Sequence, residues 1–410
     1  MNPQTEPGHH HMTIDVEAAR AETPGCRSVI HLDNAGSSLP TAAVVGAVKD
    51  HLDLEARIGG YAAATEAADR IDGVYTSTAT MLGCSPGELA FAESATRAWW
   101  AAFESIPLGP GDRVLTTHSE YISNMFGLLR ARELRGIEIE VVPDEPSGQV
   151  SVDALTGMLD ERVKLVCVTH VPTSGGLVQP AARIGEVLAD TDAVYLLDAC
   201  QSAGQMALDV TELGCDMMSW TGRKYLRGPR GTGMLYVRSG LLDKLLPPLT
   251  MDGVGARWTG PMDYHPVHSA RRYETFETGY AAKIGLGVAT GKAVELGLDA
   301  IETAVKSLAE GLRSSLEGIE GVEVRDLGVE RSGIVTFTVE GHEVDEIVPW
   351  LRSHGVNTTA SRAPSSRLDL GLRDIPAVVR ASVHYYNDAT DLDRLLELVA
   401  DLAGRPGTTP

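Results

Sequence analysis

The chain has 410 residues, 43% of them apolar, so it can bury a large core and has the length for two or three structural units rather than a small stapled domain. A formal net charge of −21 and a pI near 4.9 argue against nucleic acid or an anionic membrane as partner, because a polyanion meets repulsion over most of the surface. The five cysteines, Cys26, Cys84, Cys167, Cys200 and Cys215, are odd in number and lack CxxC spacing, which speaks for reduced thiols and against disulfides or zinc; no metal is expected.

In chain order, residues 1–30 read as a leader, disordered in part. Met1 to Gly8 lacks the basic and apolar regions of a signal peptide, His9-His10-His11 suits a disordered leader or a tag remnant, and Met12 is a candidate natural start. With no apolar run of about 18 residues, the protein is expected to be soluble and cytoplasmic. Residues 31–270 read as a large domain. From about residue 45 to 245, helical patterns alternate with β-branched runs such as Arg113–Thr116, Lys164–Val168 and Ala193–Leu197, which predicts an α/β fold with a mainly parallel sheet and helices on both faces. Ligands of such sheets sit at the carboxyl ends of the strands. Met251 to His268, rich in Gly, Pro, Trp and His, reads as a long irregular connection. Residues 271–410 read as a small α+β domain: a helical region over 281–316, strands at 322–325 and 334–339, a helix at 344–353, a strand at 379–383, and a last helix with Leu392, Leu395, Leu396 and Val399 on one face.

Chemistry concentrates after those apolar runs. Asp198 ends the run Ala193–Leu197, and Lys224 stands one β-to-loop excursion later in Thr221-Gly222-Arg223-Lys224-Tyr225-Leu226-Arg227-Gly228-Pro229-Arg230. A carboxylate at a strand end with a lysine beyond it suits pyridoxal 5′-phosphate: the lysine forms the imine, and the acid keeps the pyridine nitrogen protonated. Taken singly the acid is also a helix cap and the lysine a surface turn. Gln201 can donate to a ring oxygen, as can Thr173 in His170-Val171-Pro172-Thr173, where a Pro-directed turn is an equal reading. The loop Glu93-Ser94-Ala95-Thr96-Arg97 opens a helix whose amides, with the Thr96 hydroxyl, can receive a phosphate, although a simple Ser/Thr cap looks the same. Tyr121 in Thr117–Asn124 offers a ring to stack on a flat heterocycle.

Together, the ordered series Thr96, Tyr121, Thr173, Asp198, Gln201 and Thr221–Lys224 resembles the class V aminotransferase group of fold type I pyridoxal phosphate enzymes, which includes cysteine desulfurases, selenocysteine lyases, isopenicillin N epimerase-like proteins and kynureninases. The likeness runs from His31-Leu32-Asp33-Asn34-Ala35-Gly36 to Arg380-Ala381-Ser382-Val383-His384-Tyr385-Tyr386-Asn387. It implies a seven-stranded-type sheet, the cofactor pyridoxal 5′-phosphate, an amino-acid substrate, and a homodimer with shared active sites. Residue by residue, it implies Lys224 as covalent anchor and α-proton shuttle, Asp198 as partner of the ring nitrogen, Gln201 and Thr173 at the ring oxygen, and Tyr121 stacked on the ring. Ala95, Thr96, Thr221 and Arg223 fall at the phosphate, and Gly279-Tyr280 where a Gly-Thr pair lends a contact across the dimer interface. Arg380 matches the arginine that grips the substrate carboxylate, and Asn34 and Gly59-Gly60-Tyr61 resemble the lip of the substrate pocket. Arg223, Thr173 and Tyr121 stand where the family often has histidine, asparagine and histidine, which points away from a close desulfurase.

The chain has no cysteine after Cys215, and Val356–Arg362 occupies the region where a desulfurase carries its mobile thiolate. The whole pattern looks most like the C–S lyases acting on bulky cysteine S-conjugates, of the hercynylcysteine sulfoxide lyase type and of lincosamide antibiotic biosynthesis. Decarboxylation-coupled oxidative deamination, transamination and epimerisation remain as alternatives.

Overall fold

The computed structural model describes residues 13–406; the His9–His11 cluster and Met12 lie outside the described residues. A short strand β1 (Ile30–His31) precedes the main sheet, which is built from β2 (Leu89–Ala92), β3 (Arg113–Thr116), β4 (Glu138–Val141), β5 (Val163–Thr169), β6 (Val194–Asp198), β7 (Met217–Thr221) and β8 (Gly233–Val237). Their order is β2-β8-β7-β6-β5-β3-β4. Only β8 runs against its neighbours, β2 and β7, within an otherwise parallel sheet. The expected α/β architecture with seven strands is therefore present.

Strands buried on both faces read as continuous apolar runs, and each alternate side chain enters a different core. Leu165, Cys167, Leu196, Met217 and Leu235 pack into one core with Ala98, Trp99, Ala102 and Phe103 of the helix Ala95–Ser105. Val166, Val168, Tyr195, Leu197, Met218 and Trp220 enter the other. The sheet is thus clamped between two layers, and its strand ends are fixed relative to one another.

The second sheet has the order β11 (Val322–Val324), β12 (Ile334–Val339), β15 (Ala377–Ser382), β14 (Thr359–Arg362), all antiparallel, with helices Leu298–Glu317, Val344–Ser353 and Ala389–Ala403. Three expectations are corrected. The helical region over 281–316 is two helices, Tyr280–Leu296 and Leu298–Glu317, broken at Gly297, whose φ of +84° a residue with a Cβ rarely adopts. The first of them packs on Ala42–Ile58 and Ala68–Leu82, so the large body extends past residue 270. The connection over 251–268 is not irregular: β9 (Ala256–Gly260) and β10 (Asp263–Pro266) form an antiparallel hairpin.

Residues 13–30 are folded rather than a loose leader. Helix Val16–Ala21 is capped by Asp15, Arg20 bonds Asp391 at 2.8 Å in the last helix, and β1 pairs in parallel with β13 (Val356–Asn357). The N-terminal segment therefore straps the small sheet to the loop that carries Lys224.

Candidate active site

One cavity at the carboxyl ends of the parallel strands is lined by residues from five of them: Glu93–Thr96 after β2, Tyr121 and Asn124 after β3, Thr173 after β5, Asp198 to Gln201 on β6 and beyond, and Thr221 to Lys224 on β7 and beyond. This follows from the parallel sheet, because every strand but β8 delivers its following loop to the same edge.

Asp198 is the last residue of β6 and is buried. Each of its oxygens has a donor: Oδ1 accepts from the Cys200 amide at 2.9 Å and Oδ2 from Asn124 Nδ2 at 2.8 Å. Lys224 is also buried. Burial lowers its amine pKa from the ordinary lysine value, and the Arg223 and Arg380 guanidinium groups push in the same direction against Asp198. Imine formation needs the uncharged amine, and burial shifts Lys224 toward that form.

The lysine loop is held from several sides. The Arg227 amide donates to Lys224 O at 2.9 Å, the Gly228 amide to Gly222 O at 2.7 Å, and His384 Nε2 meets Tyr225 O at 2.8 Å. A Cβ on Gly222 would lie 2.3 Å from Thr232 Oγ1, so the neck of the loop admits no side chain. Arg227 takes φ +63° and lays its guanidinium 4.4 Å over the Tyr386 ring while bonding Tyr385 Oη at 2.7 Å, Leu39 O at 2.9 Å and Thr23 Oγ1.

At the other end of the cavity, helix Ala95–Ser105 opens with Ser94 capping the Arg97 amide at 3.2 Å. Thr221 and Arg223 stand across from it, with Arg223 Nη1 3.4 Å from Thr221 Oγ1 and no carboxylate paired to Arg223 among the described residues. Helix amides, hydroxyls and an unpaired cation are the donor set of a phosphate site. Gln201 Nε2 donates to Thr173 Oγ1 at 3.1 Å, while Gln201 Oε1 is buried without a partner. A phosphate end, a buried lysine with a fixed carboxylate and the Tyr121 ring fit pyridoxal 5′-phosphate, whereas both Gln201 amide hydrogens are spent on Ala35 O and Thr173 Oγ1.

Of the residues singled out from sequence, Ala95, Thr96, Tyr121, Thr173, Asp198, Gln201, Thr221, Arg223 and Lys224 line this cavity. Arg380 lies behind it, with Nη1 bonded to Thr173 Oγ1 at 2.8 Å and Nη2 to Asp33 at 3.0 Å. Three do not reach it within the chain. Asn34 is wholly buried, donating to Ser382 O at 2.7 Å and accepting from Tyr386 Oη, so it ties the short helix Asn34–Ser37 to β15 and the turn after it and forms no pocket lip. Tyr61, 78% exposed, and Tyr280 line a separate depression with Phe276. Sequence reading passed over Glu120 and Asn124. Their signal was periodicity: they lie four residues apart around the first turn of helix Ile122–Arg135, on the face that carries them toward Asp198.

This fold and this site define a fold type I pyridoxal phosphate enzyme. The chain belongs to the class V aminotransferase family, whose family model matches residues 30–395. It is 28% identical to a probable cysteine desulfurase of Methanothermobacter thermautotrophicus over 95% of this chain and 98% of that protein. It is 30% identical to a probable hercynylcysteine sulfoxide lyase of Mycobacterium tuberculosis over 95% and 93%. In fold it is similar to a cysteine desulfurase from Thermococcus onnurineus, with a TM-score of 0.88 at 24% identity over 94% and 98% of the two chains. Among the described residues, no helix is long and apolar enough to cross a membrane.

Proposed function

We propose that this chain is a C–S lyase that cleaves a bulky cysteine S-conjugate by β-elimination to a thiol or sulfenate, pyruvate and ammonia, in sulfur natural-product biosynthesis of the lincosamide or ergothioneine type. One observation carries the choice over persulfide chemistry. Among the described residues the only thiol at the cavity wall is Cys200, and burial beside Asp198 holds it well above the usual thiol range, leaving no thiolate to take up sulfur. The strand β14 and the turn after it, which pack over the Thr173 loop through Ser361 Oγ and Ser366 Oγ, carry hydroxyls and no thiol. The likeness to a relative named as a hercynylcysteine sulfoxide lyase adds to this reading.

When bound, the cofactor supplies an electron sink for the substrate α-carbon. Thr96, Thr221 and Arg223 would hold its phosphate, Tyr121 would offer a ring to stack on it, and Asp198, fixed through both oxygens, would keep its ring nitrogen protonated. Arg380 bonds Thr173 through Nη1 and Asp33 through Nη2, and Nη2 keeps a second N–H that would be the donor for a substrate carboxylate. Lys224 Nζ takes the proton from the α-carbon. As that proton leaves, the Cβ–S bond breaks with its electron pair on sulfur and a Cα–Cβ double bond forms. One water then hydrolyses the three-carbon enamine to pyruvate and ammonia.

Tyr61, Phe276 and Tyr280, together with the exposed Trp258 and Met262 of the β9–β10 hairpin, support a homodimer in which a second copy completes the pocket mouth. The five free cysteines suit a reducing, cytoplasmic setting.

The test is a panel of S-substituted cysteines with mass spectrometry of every product. Stoichiometric pyruvate and thiol, abolished in Lys224→Ala, are expected. Alanine with enzyme-bound sulfane sulfur would overturn the reading in favour of a desulfurase; an aldehyde or a persistent pyridoxamine form would overturn it in favour of oxidative deamination or transamination.

A further inference from the structure

Behind Asp198 lies a second carboxyl group that the proposed chemistry does not use. Glu120 is buried and forms no ion pair among the described residues. Its Oε1 accepts three hydrogen bonds, from Thr169 Oγ1 at 2.6 Å, the Tyr121 amide at 2.7 Å and Asn124 Nδ2 at 2.9 Å. Its Oε2 meets the Thr116 hydroxyl at 2.9 Å, and the Cys167 thiol also bonds this carboxyl group. The same Asn124 Nδ2 gives its other hydrogen to Asp198 Oδ2 at 2.8 Å.

This network crosses three adjacent strands at their carboxyl ends: Thr116 closes β3, Thr169 closes β5 and Asp198 closes β6, with Thr169 and Asp198 in register. Two carboxyl groups thus share one amide, and neither forms an ion pair among the described residues; Lys224 acts on Asp198 from the cavity side, and no cation acts on Glu120. Two ionised carboxylates so placed repel in a medium that screens poorly, and a proton on one removes that cost. The hydrogen-bond pattern says which one. Asp198 has only N–H donors on both oxygens, which suits a carboxylate, whereas Glu120 Oε2 faces a hydroxyl that can accept. The titratable groups facing Glu120 are Asp198 from β6 and the Cys167 thiol from β5; burial first, then Asp198, raises the Glu120 carboxyl above the ordinary range.

We propose that Glu120 is a neutral carboxylic acid, its proton held between Oε2 and Thr116 Oγ1, and that through Asn124 it positions Asp198 as the single anion beneath the cofactor ring nitrogen. Glu120 is a positioning residue, outside the lining of the cavity and acting on Asp198 through Asn124.

A neutral acid is mimicked by glutamine, which can accept the same three bonds at its oxygen and donate to Thr116 through Nε2. Glu120→Gln is therefore expected to keep the apparent cofactor Kd within about threefold and to leave the pH profile of the bound cofactor's visible band unchanged. Asn124→Ala and Glu120→Ala are expected to weaken cofactor binding about tenfold or more, a loss of about 1.4 kcal/mol, and to shift that profile. Circular dichroism and thermal melting of each cofactor-free protein check that it is folded. The proton itself is read from the infrared difference between wild type and Glu120→Gln, where a protonated-carboxyl C=O stretch is expected. A carboxylate pair of bands in its place, Glu120→Gln behaving like Glu120→Ala, or folded Asn124→Ala with wild-type affinity and pH profile would each overturn the proposal. These measurements use the cofactor's binding and colour, so their failure leaves the C–S lyase reading standing, and the reverse also holds.

Discussion

Arg227 holds a backbone conformation that residues with a Cβ avoid, and its guanidinium reaches three oxygens and two tyrosine rings from that position. Breaking so buried a cationic contact costs about 3 kcal/mol. Arg227→Gly is expected to lose about that much in chemical denaturation, and Arg227→Ala about 0.5 to 1 kcal/mol more, because alanine keeps the φ penalty that glycine escapes. An inverted order would show that the loop relaxes elsewhere. Arg380 makes a different kind of contribution. Arg380→Lys retains a charge but loses the planar fork that spans Thr173 and Asp33, so KM should rise about tenfold or more with a smaller fall in kcat. Equal KM values in steady-state assays would remove Arg380 from substrate capture. At this scale Lys224 and Asp198 were legible in sequence, because each follows an apolar run that parallel topology sends to one edge. Asn34 was not: its neighbours Ser382 and Tyr386 lie some 350 positions away, and only the folded chain shows its amide spent on them.

Among the elements, the hairpin β9–β10 departs most from the sequence reading. Its residues lack the buried alternation that marks a strand, since it packs against little of its own chain: Trp258 is 82% and Met262 92% exposed. Backbone pairing alone makes it a hairpin, and an unpartnered apolar tip is what a second copy would cover. Trp258→Ser with Met262→Ser is expected to move a dimer toward monomer in light scattering at micromolar concentration while leaving secondary structure intact. An unchanged mass would place the interface elsewhere. By contrast β5 and β6 were readable in position and type, because burial on both faces leaves a run of apolar residues with nothing to disguise it. The break at Gly297 was missed since helical segments rich in Ala and Leu flank it on both sides, and the glycine carries the only local mark of the turn.

Across the whole molecule, stability should depend on pH through histidines buried in uncharged form. His170, beside Ser202 Oγ at 3.0 Å, is lowered by burial from 6.5 to about 4, and His384 shifts the same way. The unfolded chain then binds the proton first, so this contribution is complete above pH 6.5 and is lost as pH falls toward 4, a change of roughly 3 kcal/mol for His170. Glu120, raised by burial, acts in the opposite sense, so the difference between wild type and His170→Asn isolates the histidine. That difference should shrink from pH 7.5 to pH 5 in urea titrations; a constant gap would refute the assignment. The mainly parallel sheet, the lysine and its acid, and the cofactor they imply were written in the sequence, because parallel strands are continuous apolar runs and each catalytic side chain ends or follows one. Tertiary structure alone decided how the N-terminal segment straps the lysine loop, why Tyr61 and Tyr280 face away from the cavity, and that Glu120 sits behind Asp198. Each of these depends on which distant surfaces meet, and local periodicity carries no record of that.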